Sequence, residues 1–347
     1  KGDYLLAKLL QKALDNKSVD ESDLQKLNIT KEQFDKTIDL ITQNKISTMI
    51  GIGAQKYKEG AFIIHEMDKV FNKLKLFEGR NTGVWYLGSG AYPYENKISV
   101  TPTNTCSYAD IKFDDYDIVF IQAANPVISA PNSKYIIESL KNTFVIFMGT
   151  TANETSQYAD IIIPAKTFLQ KRDVRLSYGH DEVTFCEICE ENPYAVSEYE
   201  LTAYLFQELG LSGLLSEDEY LDCFKTKVRE KPDIKFIEHE TKNVELLDMK
   251  DDEYYLITSK HTDSLNSQFK YDEFAYVHPS NGFSDNQLVT VSSKIETIQI
   301  KVKNDEKVYK NSILIYAGNK QVNRLTSNEL SDCGTNATYQ DIKLTVK

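Results

Sequence analysis

Asp117-Ile118-Val119-Phe120-Ile121 runs into Ala123-Ala124-Asn125-Pro126. Phe144-Val145-Ile146-Phe147-Met148 runs into Gly149-Thr150-Thr151, and Asp160-Ile161-Ile162-Ile163-Pro164 into Ala165-Lys166-Thr167. Each apolar run is β-branched or aromatic and too short for an ordinary helix, so each reads as a strand. Asn132 to Leu140 separates the first two runs and has a helical pattern. Asn153 to Ala159 separates the second and third and reads as a short helix that Asn153 can cap. Strand, helix, strand, helix, strand predicts a parallel sheet covered by helices on both faces. Ligands of such sheets sit at the carboxyl ends of the strands. The three small-residue and hydroxyl-rich loops there favour an anionic group such as a nucleotide pyrophosphate at the helix starts.

Working outward from this centre, the 347 residues allow about two domains, and 41% apolar content is enough for sizeable cores. A net charge of −12 argues against a nucleic-acid partner. No run approaches the roughly 20 apolar residues of a direct membrane span. Five scattered cysteines predict reduced thiols in a cytoplasmic protein, not a disulfide framework. Cys186 and Cys189 form a CxxC. No second pair accompanies it, and the alternation of residues 183–188 makes it part of a strand.

Upstream, residues 1–47 carry apolar residues at helical spacing. Thr30 with Gln33 is a capping box, and Asp20 or Ser22 is a further cap. Residues 47–54 are a strand entering a glycine turn, and a helix over about 59–76 follows. Gly51, Gly53 and Gly60 do not have the GxGxxG spacing, so no nicotinamide site is assigned. His65 reads as a structural residue of that helix. Downstream, Glu198 to Leu209 is a helix ended by Gly210. Residues 211–253 form a charged, solvated linker. Residues 254–347 consist of short β-rich runs separated by turn residues and predict a β-barrel.

Ala124-Asn125-Pro126, the segment from Glu154-Thr155 through Tyr158-Ala159-Asp160-Ile161 to Pro164-Ala165, and Ser177-Tyr178-Gly179-His180 resemble the molybdopterin oxidoreductase family. That family includes dimethyl sulfoxide reductases, formate dehydrogenases, nitrate reductases and the large iron–sulfur subunit of NADH-quinone oxidoreductase (complex I). The tail adds Leu256 to Ser259, Ser264 to Phe269, Val277-His278-Pro279 and Val322-Asn323-Arg324-Leu325-Thr326. The resemblance implies an α/β fold with three parts: a Rossmann-like parallel sheet with flanking helices over 1–210, the linker over 211–253, and a C-terminal β-barrel of the molybdopterin dinucleotide-binding type over 254–347. It implies a molybdopterin guanine dinucleotide gripped by Asn125, Thr155, Asp160, His180, Thr258, Asn266 and Asn323, with no catalytic residue and no metal ligand in this chain.

The resemblance covers only the C-terminal half of a family member. The segments that carry the 4Fe–4S cluster and the molybdenum ligand in the family are not in this sequence, so both are expected in a preceding part of a longer polypeptide. Two departures stand out. Phe283 to Val289 has no glycine where the family has a glycine-rich turn, and Tyr316-Ala317-Gly318-Asn319 stands where the family often has Gly-Trp. They favour a chain that kept the fold and gave up the cofactor, as in the large iron–sulfur subunit of complex I, where it would serve respiratory electron transfer to quinone. An active molybdenum enzyme of the formate dehydrogenase or reductase type is the alternative. Either reading implies other subunits of a respiratory or oxidoreductase complex as partners, with the chain peripheral to a membrane through them.

Overall fold

The computed structural model describes residues 1–78, 82–87, 105–175, 182–225, 236–240, 244–246, 250, 252–262, 272–334 and 336–347. Helices α1 (Gly2–Leu14), α2 (Glu21–Lys26) and α3 (Lys31–Gln43) lead the chain. The Thr30–Gln33 capping box starts α3 as its sequence predicts. Asp20 is the N-cap of α2, without a side-chain hydrogen bond. Strand β1 (Ser47–Ile50), a 3-10 turn over Ile52–Lys56, α4 (Gly60–Lys73) and β2 (Gly83–Tyr86) follow. β1 and β2 pair in parallel, and Ala7, Ile50, Val70, Phe71 and Leu76 bury their apolar surface together.

The central stretch folds as β3 (Ile118–Gln122), α5 (Pro126–Ser129), α6 (Ser133–Leu140), β4 (Phe144–Gly149) and β5 (Ile161–Pro164). The three strands pair in parallel in sequence order, with Phe120 opposite Ile146 and Ile146 opposite Ile161. Between β4 and β5 the expected short helix is a 3-10 turn, Thr155–Tyr158. Asn153 serves it as anticipated, its Oδ1 accepting from the Thr155 and Ser156 amides at 3.0 and 3.1 Å.

The expectation of a sheet covered on both faces is corrected by the exposures. Ile121, Val145 and Phe147 are buried against Val127, Ile128, Ile136 and Leu140 of α5 and α6. Ile118, Phe120, Phe144 and Ile161, which point the other way, are 62, 44, 44 and 45% exposed. Both connecting helices pack on the first face, because α5 leads into α6 after only a short turn and both follow β3.

Strands β6 (Asp173–Arg175) and β7 (Thr184–Cys186) make an antiparallel pair. Helix α7 (Glu198–Glu208) has a Ser197–Glu200 capping box, and α8 (Glu217–Asp222) begins the charged connection. Arg172 pairs with Asp218 at 2.6 Å. Further along, Val244 is buried with Tyr4, Tyr57 and Ile63, and Phe236 stacks on His65. Phe236 and Val244 of the connection therefore lie against the helical layer.

Six strands close the barrel: β8 (Glu253–Ile257), β9 (Phe274–Val277), β10 (Leu288–Ser292), β11 (Thr297–Asn304), β12 (Ser312–Ile315) and β13 (Lys343–Val346). Their order is β10-β11-β9-β12-β8-β13, closed by β13 on β10. Alternation along β11 turns Ile298, Ile300 and Val302 inward. At the turn before β10, Asn286 takes φ +65°, a left-handed conformation that asparagine tolerates. Among the described residues no helix is long and apolar enough to cross a membrane.

Candidate functional site

The barrel is joined to the central sheet by hydrogen bonds at the start of the α5–α6 segment. The Asn323 Nδ2 donates to the Ile128 carbonyl at 2.5 Å, and the Asn132 amide donates to the Thr326 carbonyl at 3.1 Å. Asn132 itself sits at φ +55° and caps α6 by accepting from the Tyr135 amide. On the other side of the barrel, the Lys58 amide donates to the Asp341 carboxylate at 2.6 Å and the Ala61 amide to Asp332 at 2.7 Å.

These contacts border a half-open cavity of 740 Å³ between the carboxyl ends of β3 and β4, the 3-10 turn after β1 and the barrel. Its sheet side is Ala123, Ala124 and Asn125 with Thr151 to Glu154, and its barrel side includes Thr258, Lys260, Asn323 and Tyr339. Ala123, at φ +49°, turns the chain sharply out of β3. Gly149 ends β4 with the buried Phe147 ring over it. A Cβ there would lie 2.7 Å from that ring, so only glycine fits at this loop.

Asn125, Thr258 and Asn323, predicted from far-apart segments, line this one cavity. Thr155 lies directly behind it, fully buried. Its Oγ1 donates to Asn125 Oδ1 at 2.8 Å and accepts from the Val127 amide at 3.2 Å. Asp160 is elsewhere. It precedes β5 at the amino end of the sheet, and its carboxylate accepts from the Val145 amide at 2.7 Å. That bond ties β4 to β5, away from the loops at the opposite ends of the strands. His180 and Asn266 fall outside the described residues.

The lining asparagines are already engaged. Asn125 Nδ2 donates to the Glu154 carboxylate at 2.9 Å, and Glu154 also pairs with Lys320 at 3.0 Å. Burial pushes the Glu154 carboxyl up, but the hydrogen bonds from Asn125 and Lys320 outweigh it and hold it below its ordinary value. Asn323 Oδ1 accepts from the Thr326 hydroxyl at 3.0 Å and the Tyr339 hydroxyl at 3.3 Å. Burial raises the Tyr339 phenol, which stays neutral as a donor. The asparagines therefore shape the walls.

The free charge in the cavity comes from residues with no motif of their own, Lys56 and Lys260, which the sequence analysis did not single out. Burial, with the Lys260 charge second, lowers the Lys56 ammonium below its ordinary value. Lys260 follows β8 by three residues, and Lys56 ends the 3-10 turn after β1.

The other singled-out residues are structural. His65 is buried, and its Nε2 accepts from the His239 amide at 3.2 Å. His278 caps a 3-10 turn through the Ser280 amide. All five cysteines are free thiols, and no cluster of three or more His, Cys, Asp or Glu that could hold a metal occurs among the described residues.

The assimilatory nitrate reductase catalytic subunit of Bacillus subtilis (strain 168) is 36% identical over 62 residues, covering 17% of this chain and 9% of that protein. The probable oxidoreductase YyaE of the same organism is 20% identical over 234 residues, covering 58% of this chain and 35% of that protein. Acetylene hydratase from Pelobacter acetylenicus superposes with a TM-score of 0.46 at 17% identity, covering 61% of this chain and 38% of that one. The matched part of this chain thus spans about a third of YyaE and a much smaller share of the nitrate reductase. A family model described as molybdopterin oxidoreductase matches residues 7–180, half of the sequence and the whole of the parallel-sheet region, so the chain belongs to the molybdopterin oxidoreductase family.

Proposed function

We propose that this chain is the nucleotide-gripping part of a working molybdopterin oxidoreductase, and that the cavity between sheet and barrel receives the guanine dinucleotide of the cofactor. One observation carries the reading. Asn125, Thr258 and Asn323, which come from three distant segments, converge on a single cavity at the carboxyl ends of β3 and β4. Open parallel sheets bind ligands at that edge.

The residues present fit such a group. The volume of 740 Å³ lies within the range of small-molecule and cofactor sites. The wall of Ala123, Ala124 and Ala152 admits a flat ring system closely, and among the described residues the one lining carboxylate, Glu154, is paired with Lys320. Two lysines face the space. When bound, the molybdenum–pterin group supplies the redox chemistry. This chain's residues hold it: Thr258 lines its barrel side, Asn125 and Asn323 set the width of the cavity, and Thr155 keeps Asn125 in place. Substrate, electron acceptor and partner subunits belong to the rest of the assembly.

A second reading, the large iron–sulfur subunit of complex I acting as a scaffold, is favoured by the departures at Phe283 to Val289 and Tyr316 to Asn319. Against it, Asn286 takes at φ +65° a left-handed conformation of the kind a glycine turn supplies. Elemental analysis of the natively produced full-length protein separates the two. Molybdenum or tungsten in stoichiometric amount is the expected result. Iron with neither metal would overturn the proposal and leave the scaffold reading.

A further inference from the structure

We propose that Lys56 and Lys260 together form an anion subsite of the cavity that takes a phosphate or diphosphate group. This subsite rests on the nucleotide reading above and moves the anion away from where the loops alone put it. α5 and the Thr155–Tyr158 turn are each a single short turn, too short to act as helix-terminal anion sites. The cations enter instead from the opposite wall.

Each lysine is held by the fold. Lys56 is the last residue of the 3-10 turn Ile52–Lys56, and the chain then bends back tightly at Gly60. A Cβ on Gly60 would meet the Gln55 carbonyl oxygen at 2.9 Å, so the turn depends on that glycine. The Lys56 Nζ stands 5.2 Å from the centre of the Tyr339 ring, and Tyr339 is itself fixed by its hydroxyl on Asn323. Lys260 lies just beyond β8, pinned by a parallel bridge to Ala317. Both side chains line the same space as Thr258 and Asn323.

Lys56 is part-buried and Lys260 exposed, and neither has a carboxylate partner among the described residues, although acidic residues outnumber basic ones 52 to 40 and part-buried lysines such as Lys1, Lys69, Lys166 and Lys171 are paired. The exposed Lys260 charge acts on the part-buried Lys56 across this space, and the described part of the fold provides neither with a counter-ion. A bound dianion would relieve the repulsion and the desolvation at once. The depressed ammonium of Lys56 agrees with that arrangement. A phosphate tail held here would extend its nucleoside toward the alanine wall across the cavity.

Titration calorimetry of the chain with GDP, guanosine and inorganic pyrophosphate tests the proposal, on the wild type, Lys56→Gln, Lys260→Gln and Lys56→Arg. GDP is expected to bind more tightly than guanosine. Each Gln variant should lose about tenfold in affinity for GDP and for pyrophosphate, while guanosine binding is unchanged and Lys56→Arg keeps most of the GDP affinity. Unaltered melting of Lys56→Arg and the Gln variants excludes misfolding as the cause.

GDP binding no tighter than guanosine, or an advantage that survives both Gln substitutions, overturns the lysine subsite and leaves the nucleotide cavity standing. Pyrophosphate binding that depends on the lysines, with GDP no tighter than pyrophosphate, upholds the subsite and overturns the nucleotide reading. If none of the three probes binds, both fall.

Discussion

Thr155 shows at the level of a single residue how this site is built. Its hydroxyl joins Asn125 to the first turn of α5, and none of its surface is exposed. Thr155→Val keeps the shape and deletes two hydrogen bonds in a dry place. The Val127 amide and Asn125 Oδ1 are left without that partner, so the variant is expected to be about 1–3 kcal/mol less stable, measured by denaturant unfolding. The resemblance pointed to Thr155 as a cofactor contact, and its place behind Asn125 was not legible, because a one-dimensional motif does not separate a wall from the brace behind it. The same holds for Asp160. Its motif was visible, but its bond to the Val145 amide, which requires knowing how β5 lies beside β4, was not.

Glu154 makes a pH prediction at the same scale. The folded carboxyl is held below its ordinary value, so it contributes stability that is fully present above that value and is lost as pH falls through the folded one. The wild type should therefore lose melting temperature between about pH 5 and pH 3 more steeply than Glu154→Gln, which has no proton to take up there. Parallel curves for the two proteins would show that the hydrogen bonds from Asn125 and Lys320 do not hold the carboxylate in solution.

At the scale of elements, what the sequence reveals is local. The capping box of α3 was readable from Thr30 and Gln33, and the apolar runs of β3, β4 and β5 from their β-branched content. The α7 box works by the same local chemistry: Ser197 Oγ accepts from the Glu200 amide at 3.1 Å, and the Glu200 carboxylate accepts from the Ser197 amide at 2.6 Å. Ser197→Ala is expected to cost about 1 kcal/mol, read as a lower unfolding midpoint with an unchanged slope. Which face of the sheet α5 and α6 cover was not readable, because alternating Ile and Phe on both faces of β3 look equally fit for burial. Nor was the barrel order, in which parallel and antiparallel neighbours are mixed out of sequence. Strand order depends on long-range pairing, and local pattern carries no information about it.

For the whole molecule, the site is a product of assembly. The alanine–asparagine loop comes from the sheet, Lys56 from the turn after β1, and Thr258, Lys260, Asn323 and Tyr339 from the barrel. Each segment was visible in the sequence, and the resemblance tied Asn125, Thr258 and Asn323 to one ligand. The two lysines carried no motif, and only the docking of barrel on sheet brings them together. That docking is held by the bonds of Asn323, Asn132, Asp332 and Asp341, by Asn328 on Asp110 and Asn336 on Gln55, and by the ion pairs Lys58–Glu329 and Lys320–Glu154.

The most direct test asks whether a guanosine nucleotide occupies the space these parts enclose. Natively produced full-length protein would be treated with acid and the freed nucleotide measured by chromatography, for the wild type and for Thr258→Trp, whose ring would fill the barrel side of the cavity. The wild type is predicted to release a guanosine nucleotide in stoichiometric amount, and the folded Thr258→Trp protein little or none. No nucleotide from the wild type, or an equal yield from both proteins, would contradict the assignment of this cavity.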